Sequence, residues 1–504
     1  MSVPAVEFKN IRKQFGAVQA NDAVSFSVAR GSIHGIIGEN GAGKSTAMKI
    51  LFGFYEADSG EILVHGKAAQ LTSPTEAMAA GIGMVHQHFM LAEPVTALDN
   101  ILLQQPGSLF SKLPRAAEKA RLEKLAHQYG FDLNLEATVE SLSVGAQQRL
   151  ELLKILSQNS DIIILDEPTA VLTPQEVQDL FVNLRALRDQ GKTILLITHK
   201  LKEVMALTDE VTVFRAGRVI GSKKTASTNS SELAEMMVGR RIATPQERST
   251  HIGDKEILCF NKVSASLGEQ HIENIDFKVH AGEIVGIAGV EGNGQNVLIR
   301  ALLEPSAISK KSFKGDIQIN GQSLAKKSAQ AIRALGVGAF PEDRLRFGVL
   351  ISKNLVENFL LGRQRLKKFL KGGFLNHKLL MEETNQALKN YDIRPPDASL
   401  TLGQLSGGNQ QKLVVARELA DKPSLIVAAQ PTRGVDIGAI EFIHGQLRKA
   451  RDNQAAVLLI SSELDELLTL SDRLLVMYKG QVVKEFRRQD FNETQIGAAM
   501  GGCP

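Results

Sequence analysis

Three short stretches, 33–37, 162–165 and 194–197, are dominated by consecutive apolar residues instead of alternating with polar ones. Runs of this kind suit parallel strands buried on both faces. Helical periodicity fills the chain between them. The order is strand, Gly-rich turn, helix, helical insert, then strands alternating with helices. This predicts an α/β fold: a core with a parallel sheet plus a helical subdomain, placed at 93–132 in the first half of the chain.

The pattern then repeats, and a repeat decides the architecture. Leu142-Ser143-Val144-Gly145-Ala146-Gln147-Gln148-Arg149 matches Leu405-Ser406-Gly407-Gly408-Asn409-Gln410-Gln411-Lys412 at an offset of 263. Pro168-Thr169 and Pro431-Thr432 share that offset, as do Met237 and Met500. Gly38 and Gly289 differ by only 251, so the second copy gains about 12 residues, assigned to the basic stretch Arg363 to Lys371. The predicted division is a first domain at 1–240, a polar linker at 241–256 and a second domain at 257–504. So short a linker suits a pseudo-dimer within one chain.

Composition narrows the class. The 504 residues include 43% hydrophobic and 23% charged, ordinary for globular domains. Two cysteines, Cys259 and Cys503, give neither a disulfide framework nor metal-ligand spacing, and a reducing compartment is the natural reading. The beginning of the chain lacks a signal-peptide pattern. No apolar run approaches the length of a membrane span, so membrane association is expected through a partner. A net charge of +4 does not call for nucleic acid.

The chemistry sits at the ends of the apolar runs. Gly38-Glu39-Asn40-Gly41-Ala42-Gly43-Lys44-Ser45 follows the first run and precedes a helix expected from Thr46. This G-x-x-x-x-G-K-S pattern in that context reads as a phosphate cradle. Its backbone N–H groups and the helix N-terminus favour anions, Lys44 would hold the β/γ-phosphates and Ser45 the Mg²⁺. The second run ends in Asp166 and Glu167. Asp166 is assigned to Mg²⁺, directly or through water, and Glu167 to general-base activation of water. Gln87 follows another strand and could reach both metal and water. His199 ends the third run and could contact the γ-phosphate. Phe15 is a candidate to stack on adenine; taken alone it reads as core.

These motifs, in this order and over nearly the whole chain, resemble the ABC-type ATPases. The loop 38–45, Gln87, the signature Leu142-Ser143-Val144-Gly145, the strand 162–167 and His199 carry the resemblance. It implies two tandem nucleotide-binding domains, each a P-loop core with a parallel sheet plus a helical subdomain. It also implies a sandwich in which each ATP lies between one copy's phosphate loop and the other's signature loop.

The second copy departs from the pattern. Gln295 and Asn296 stand at the Lys–Ser positions, Ala429 and Gln430 at the Asp–Glu positions, Glu342 for Gln87, Ser462 for His199 and Leu267 for the aromatic. It nonetheless keeps Ser406, Gly407, Gly408 and Asp436, whereas the first copy has Val144 and Thr173 at the positions of Gly407 and Asp436. On the sandwich arrangement one composite site is complete: Lys44, Gln87, Asp166, Glu167 and His199 from the first copy, with Ser406, Gly407, Gly408 and Asp436 from the second. The other has lost parts from both sides.

Fused copies with a degenerate second half resemble the ATPase subunits of bacterial importers for simple sugars and nucleosides. The stretches 86–91, 142–149 and 428–436 look more like the nucleoside branch. The resemblance implies two integral-membrane permease subunits, a solute-binding protein reached through them, and a place on the cytoplasmic face of the inner membrane. A soluble ABC protein acting on ribosomes or DNA is the alternative class, and it lacks support in a long charged linker or coiled-coil insert. The basic segment 363–371 is expected to be a solvated helix face, or else to lie near anionic lipid or a permease loop.

Overall fold

The computed structural model describes every residue except 1–2, 17, 40, 87–88, 104–114, 170–171, 173, 240–251, 291, 310–311, 372–373 and 503–504. The chain divides into two units, 1–245 and 246–504. Most of the predicted linker lies outside the described residues.

In the first unit a six-stranded sheet runs in the order Ile82–Val85, Ile162–Asp166, Thr193–Ile197, Ile33–Gly38, Glu210–Arg215, Arg218–Lys224. The first five strands are parallel and the last is an antiparallel hairpin partner. The apolar runs are buried at every position, and their side chains alternate between two cores. Ile163, Leu165, Ile194 and Leu196 pack toward the helical side, while Ile162, Ile164, Leu195 and Ile197 pack toward a second sheet. That sheet is antiparallel, in the order Val18–Val28, Val6–Phe15, Ser59–Val64, Lys67–Ala68. Its strands alternate because one face meets solvent, and Phe8 stacks on Phe26 at 4.5 Å between ring centroids.

The second unit repeats this plan. Its main sheet is ordered Val337–Phe340, Leu425–Ala429, Ala456–Ile460, Ile284–Ala288, Arg473–Tyr478, Gln481–Arg487. The stacked pair recurs as Phe260 and Phe277 at 4.7 Å.

The helical subdomain of the first unit carries Ala97–Leu102 and Arg115–Gln128 within the predicted range, and the helix Val144–Leu156 packs against both. The subdomain therefore extends beyond 132, because the helix that follows the signature loop closes its core.

Two expectations about the second copy need correction. The 12 extra residues are not concentrated at 363–371. Matching elements show four between the helix Gln295–Leu303 and the strand Lys314–Ile319, and three before the helix Leu355–Leu360. Another four precede the helix His377–Asn390, and one follows it. Nor is 363–371 a solvated helix face. It forms a turn at Lys367–Phe369 and the first strand of a small ribbon, Leu370–Lys371 with Phe374–Leu375. The Arg363 side chain is only 1% exposed. Its guanidinium lies 4.5 Å from the Phe359 ring centroid and 5.1 Å from that of Phe369, and it bonds Asp421. Burial between two rings and a carboxylate spends this charge inside the subdomain.

Candidate active site

Parallel strands of one sheet end together, so their following loops converge. Here Ile36 and Asp166 both stand opposite Ile197. Gly38, Asp166, Glu167 and His199 thus meet at one edge of the sheet although they are distant in sequence.

The phosphate loop is shaped by close backbone approach. A Cβ on Gly38 would lie 2.3 Å from the Phe214 carbonyl oxygen, and one on Gly43 would lie 2.3 Å from that of Ala20. Gly43 also takes φ of 96°, in the left-handed region that glycine tolerates. Buried Asn21 donates to the Gly43 carbonyl at 3.1 Å, and the Ala42 N–H donates to Glu39 O at 3.1 Å. Gly41 is exposed at the loop tip. The helix Lys44–Leu51 begins two residues before the expected Thr46, which is half-buried in its first turn. Lys44 is buried, and its Nζ donates to the carbonyls of Gly38 and Glu39 at 2.7 and 2.9 Å. Burial pushes its pKa down, against the carboxylates of Glu167, Asp166 and Glu39.

Ser45 Oγ donates to Asp166 Oδ1 at 3.5 Å. These are hard oxygen donors side by side, the chemistry that suits Mg²⁺. Burial, and then the Glu167 charge, raises the Asp166 pKa; a bound cation would reverse that.

Glu167 takes φ of 48°, uncommon for a residue with a side chain, and its N–H donates to Ile197 O at 2.9 Å. Its Oε1 lies 2.9 Å from His199 Nδ1. An ionised carboxylate only accepts, so Nδ1 carries the hydrogen of this bond and Nε2 is the ring nitrogen left to face the site. The His199 hydrogen bond holds the Glu167 carboxyl below its ordinary range, against opposing burial.

Phe15 is 42% exposed, with Tyr55 5.1 Å away edge-on and Lys13 Nζ 5.5 Å from its ring centroid. The core alternative for Phe15 therefore fails. Gln87 and Asn40 fall outside the described residues, as does Thr173.

In the second unit Gln295 Nε2 donates to its own loop, at Val290 O, 3.1 Å. Gln430 keeps the left-handed backbone of Glu167, with φ of 46°, and its Oε1 accepts from Ser462 N–H and Oγ–H, each at 3.2 Å. The shape of the Glu–His pair survives there with neither a base nor an imidazole. Ser406 caps the helix Gly407–Leu419 and Asp436 caps Ile437–Asp452, accepting from Ala439 N–H at 2.7 Å. A Cβ on Gly408 would lie 2.5 Å from Asp436 Oδ2, so Ser406, Gly407, Gly408 and Asp436 form one cluster. In the first unit the corresponding Gly145 N–H is taken by Glu176, at 3.2 Å.

Sequence reasoning missed two supports of this site. Buried Glu151 and Lys154, on the helix after the first signature loop, hold Met90 by its N–H at 2.7 Å and its carbonyl at 2.9 Å. In the second unit Arg417 takes the position of Lys154 and holds the Gly348 carbonyl at 2.8 Å. The other is Glu203, buried beneath His199. Its pKa is raised by burial, against the charge of Lys200 and the hydroxyls of Thr169 and Thr198. The available signal was the recurrence of Glu203 as Glu466 at the same 263-residue offset.

Two segments, residues 21–170 and 272–433, match the family described as ABC transporter. The chain is similar to the guanosine import ATP-binding protein NupO of Bacillus subtilis, at 41% identity over 99% of this chain and 97% of that protein. It is similar to the nucleoside import ATP-binding protein NupA of Lactococcus lactis, at 38% over 99% and 98%. It is also 41% identical to the glucose import ATP-binding protein TsgD13 of Haloferax volcanii, over 99% of this chain and 96% of that one.

Proposed function

The chain belongs to the ABC transporter family, and from that premise we propose that it is the ATP-hydrolysing subunit of an importer for nucleosides, with its working site built on the first unit. The observation that carries this reading is the contrast between the two units. The first gathers Lys44, Ser45, Asp166, Glu167 and His199 at one sheet edge. The second places Gln295, Asn296, Ala429, Gln430 and Ser462 at the same positions. Two relatives named for guanosine and nucleoside import favour nucleosides as the solute; the relative named for glucose import keeps a sugar as the second reading.

On this proposal the loop Gly38, Glu39, Asn40, Gly41, Ala42, Gly43, with Thr46, wraps the ATP phosphates, Lys44 neutralises the β/γ oxygens and Phe15 stacks on adenine. Ser45, Asp166 and Gln87 would hold Mg²⁺, which when bound offsets charge on the phosphate oxygens. Glu167, kept ionised by His199, takes a proton from the attacking water, and His199 Nε2 faces the departing phosphate. Ser406, Gly407, Gly408 and Asp436 are the second unit's own candidates for contact with nucleotide. Among the described residues no helix is long and apolar enough to cross a membrane. The work therefore passes to two integral-membrane permease subunits, and through them to a solute-binding protein, from the cytoplasmic face of the inner membrane.

The test is uptake of labelled nucleosides, pentoses and hexoses in cells carrying the native permease genes with wild-type protein or Glu167→Gln. Nucleoside uptake lost in the variant supports the proposal. Sugar uptake lost instead keeps the mechanism and changes the solute. Equal uptake of every solute sinks the reading.

A further inference from the structure

Glu203 is buried one helical turn past His199, and its two carboxylate oxygens point at different loops. Oε1 accepts from the Thr169 hydroxyl, two residues beyond Glu167. Oε2 accepts from the Thr198 hydroxyl at 3.0 Å, and Thr198 directly precedes His199. Thr198 Oγ1 accepts in turn from the Lys200 N–H at 3.0 Å, which fixes the other flank of His199. One carboxylate thus ties the backbone that carries the base to the backbone that carries the imidazole.

The second unit supplies an internal comparison. Glu466 stands at the same position and Thr432 still donates to its Oε1, at 2.9 Å. The other link is gone. Ser461, in place of Thr198, keeps the contact to the N–H two residues on, at Glu463, 3.0 Å, but does not donate to Glu466 Oε2. His444 now bonds Glu466 Oε1 at 2.9 Å, and Oε2 has no hydrogen-bond partner among the described residues. The two-loop tie therefore exists where Glu167 and His199 exist. It is reduced to one loop where Gln430 and Ser462 replace them.

We propose that Glu203 is a positioning residue for ATP hydrolysis, holding the loops of Glu167 and His199 in register through the hydroxyls of Thr169 and Thr198. Its carboxylate is buried and bonded to the Thr169 and Thr198 hydroxyls, so its loss lowers turnover and leaves nucleotide binding alone. A pair bonded at 2.9 Å is sensitive to small displacements of either loop.

The inference rests on the proposed hydrolysis at the first unit, and the experiment separates the two. ATP turnover is measured in the intact transporter for wild type, Glu203→Ala, Glu203→Gln, Thr198→Val, His199→Ala and the double variant Glu203→Ala/His199→Ala. Glu203→Ala is expected to lower kcat about 30-fold or more, with KM for ATP within about 3-fold of wild type. Glu203→Gln, which still accepts one hydroxyl and can donate to the other, should stay within about 5-fold. In the His199→Ala background Glu203→Ala should cost less than about 3-fold, because its effect runs through that histidine. A full additional loss there, or an unchanged kcat for Glu203→Ala, overturns the proposal. If Glu203→Ala does not fold, Thr198→Val decides: a selective loss in kcat supports the tie, and wild-type kcat overturns it. Normal turnover in His199→Ala would instead overturn the reading of the site itself.

Discussion

His199 and Glu167 form a hydrogen-bonded pair, with Nδ1 2.9 Å from Oε1, across two strand ends 32 residues apart in sequence. The hydrogen bond favours the ionised carboxyl and holds its pKa below the ordinary glutamate range. A base with a depressed pKa stays ionised as pH falls, until its folded pKa is passed. His199→Ala should therefore move the acid limb of the kcat profile upward as well as lower its plateau. ATPase rates across a pH series in the intact transporter check this; an acid limb that does not move would detach the histidine from the base.

Gly43 cannot carry a side chain. Its φ of 96° and the 2.3 Å approach of a Cβ to Ala20 O act together. Gly43→Ala should destabilise the first unit by about 2 kcal/mol or more and abolish ATP binding. Denaturant unfolding and nucleotide titration measure the two losses separately.

Lys154 and Glu151 are a buried ion pair, with side chains 5% and 3% exposed and 2.9 Å apart. Lys154→Met leaves the buried carboxylate without its counter-charge and should cost about 3–5 kcal/mol. Lys154→Arg should cost much less, because Arg417 performs the same carbonyl contact in the second unit. Unfolding midpoints of the two variants test the contrast, and equal losses would count against it.

His34 lies in the middle of the phosphate-loop strand, fully buried, with Nε2 2.8 Å from Thr212 Oγ1. Burial lowers its pKa from 6.5 to about 4. The unfolded chain binds this proton first as pH falls, so its contribution to stability is complete above pH 6.5. It is lost on descending from 6.5 toward 4, by about 3 kcal/mol in all. His34→Leu should flatten the stability–pH curve across that window, as followed by denaturant unfolding at a series of pH values.

Much of this molecule was legible without coordinates. The apolar runs at 33–37, 162–165 and 194–197 became central strands to within a residue, because a parallel strand covered on both faces can be little else. The glycines of the loop 38–45 were legible in the sequence, but what crowds Gly38 and Gly43 is the backbone of Phe214 and Ala20, distant in the chain. In the segment 363–371 Arg365, Lys367 and Lys368 are exposed, as a basic run suggests, but the segment is no α-helix face and Arg363 is buried. Asp421 lies 58 residues from Arg363, and no local pattern announces the pair. Phe15 was ambiguous for a related reason: an aromatic at a strand end looks the same in sequence whether its ring faces core or solvent.

The sequence by itself determined the repeat, the α/β class, and which copy retains a lysine, two acids and a histidine. These are matters of residue type, spacing and period, which the chain carries locally. The tertiary structure alone decided which of those groups touch. It set Glu167 against His199, Ser45 against Asp166, and Glu203 beneath two loops that meet because parallel strands end at one edge. Such contacts depend on strand order and register, which sum many weak packing choices across the whole sheet and are written in no single segment.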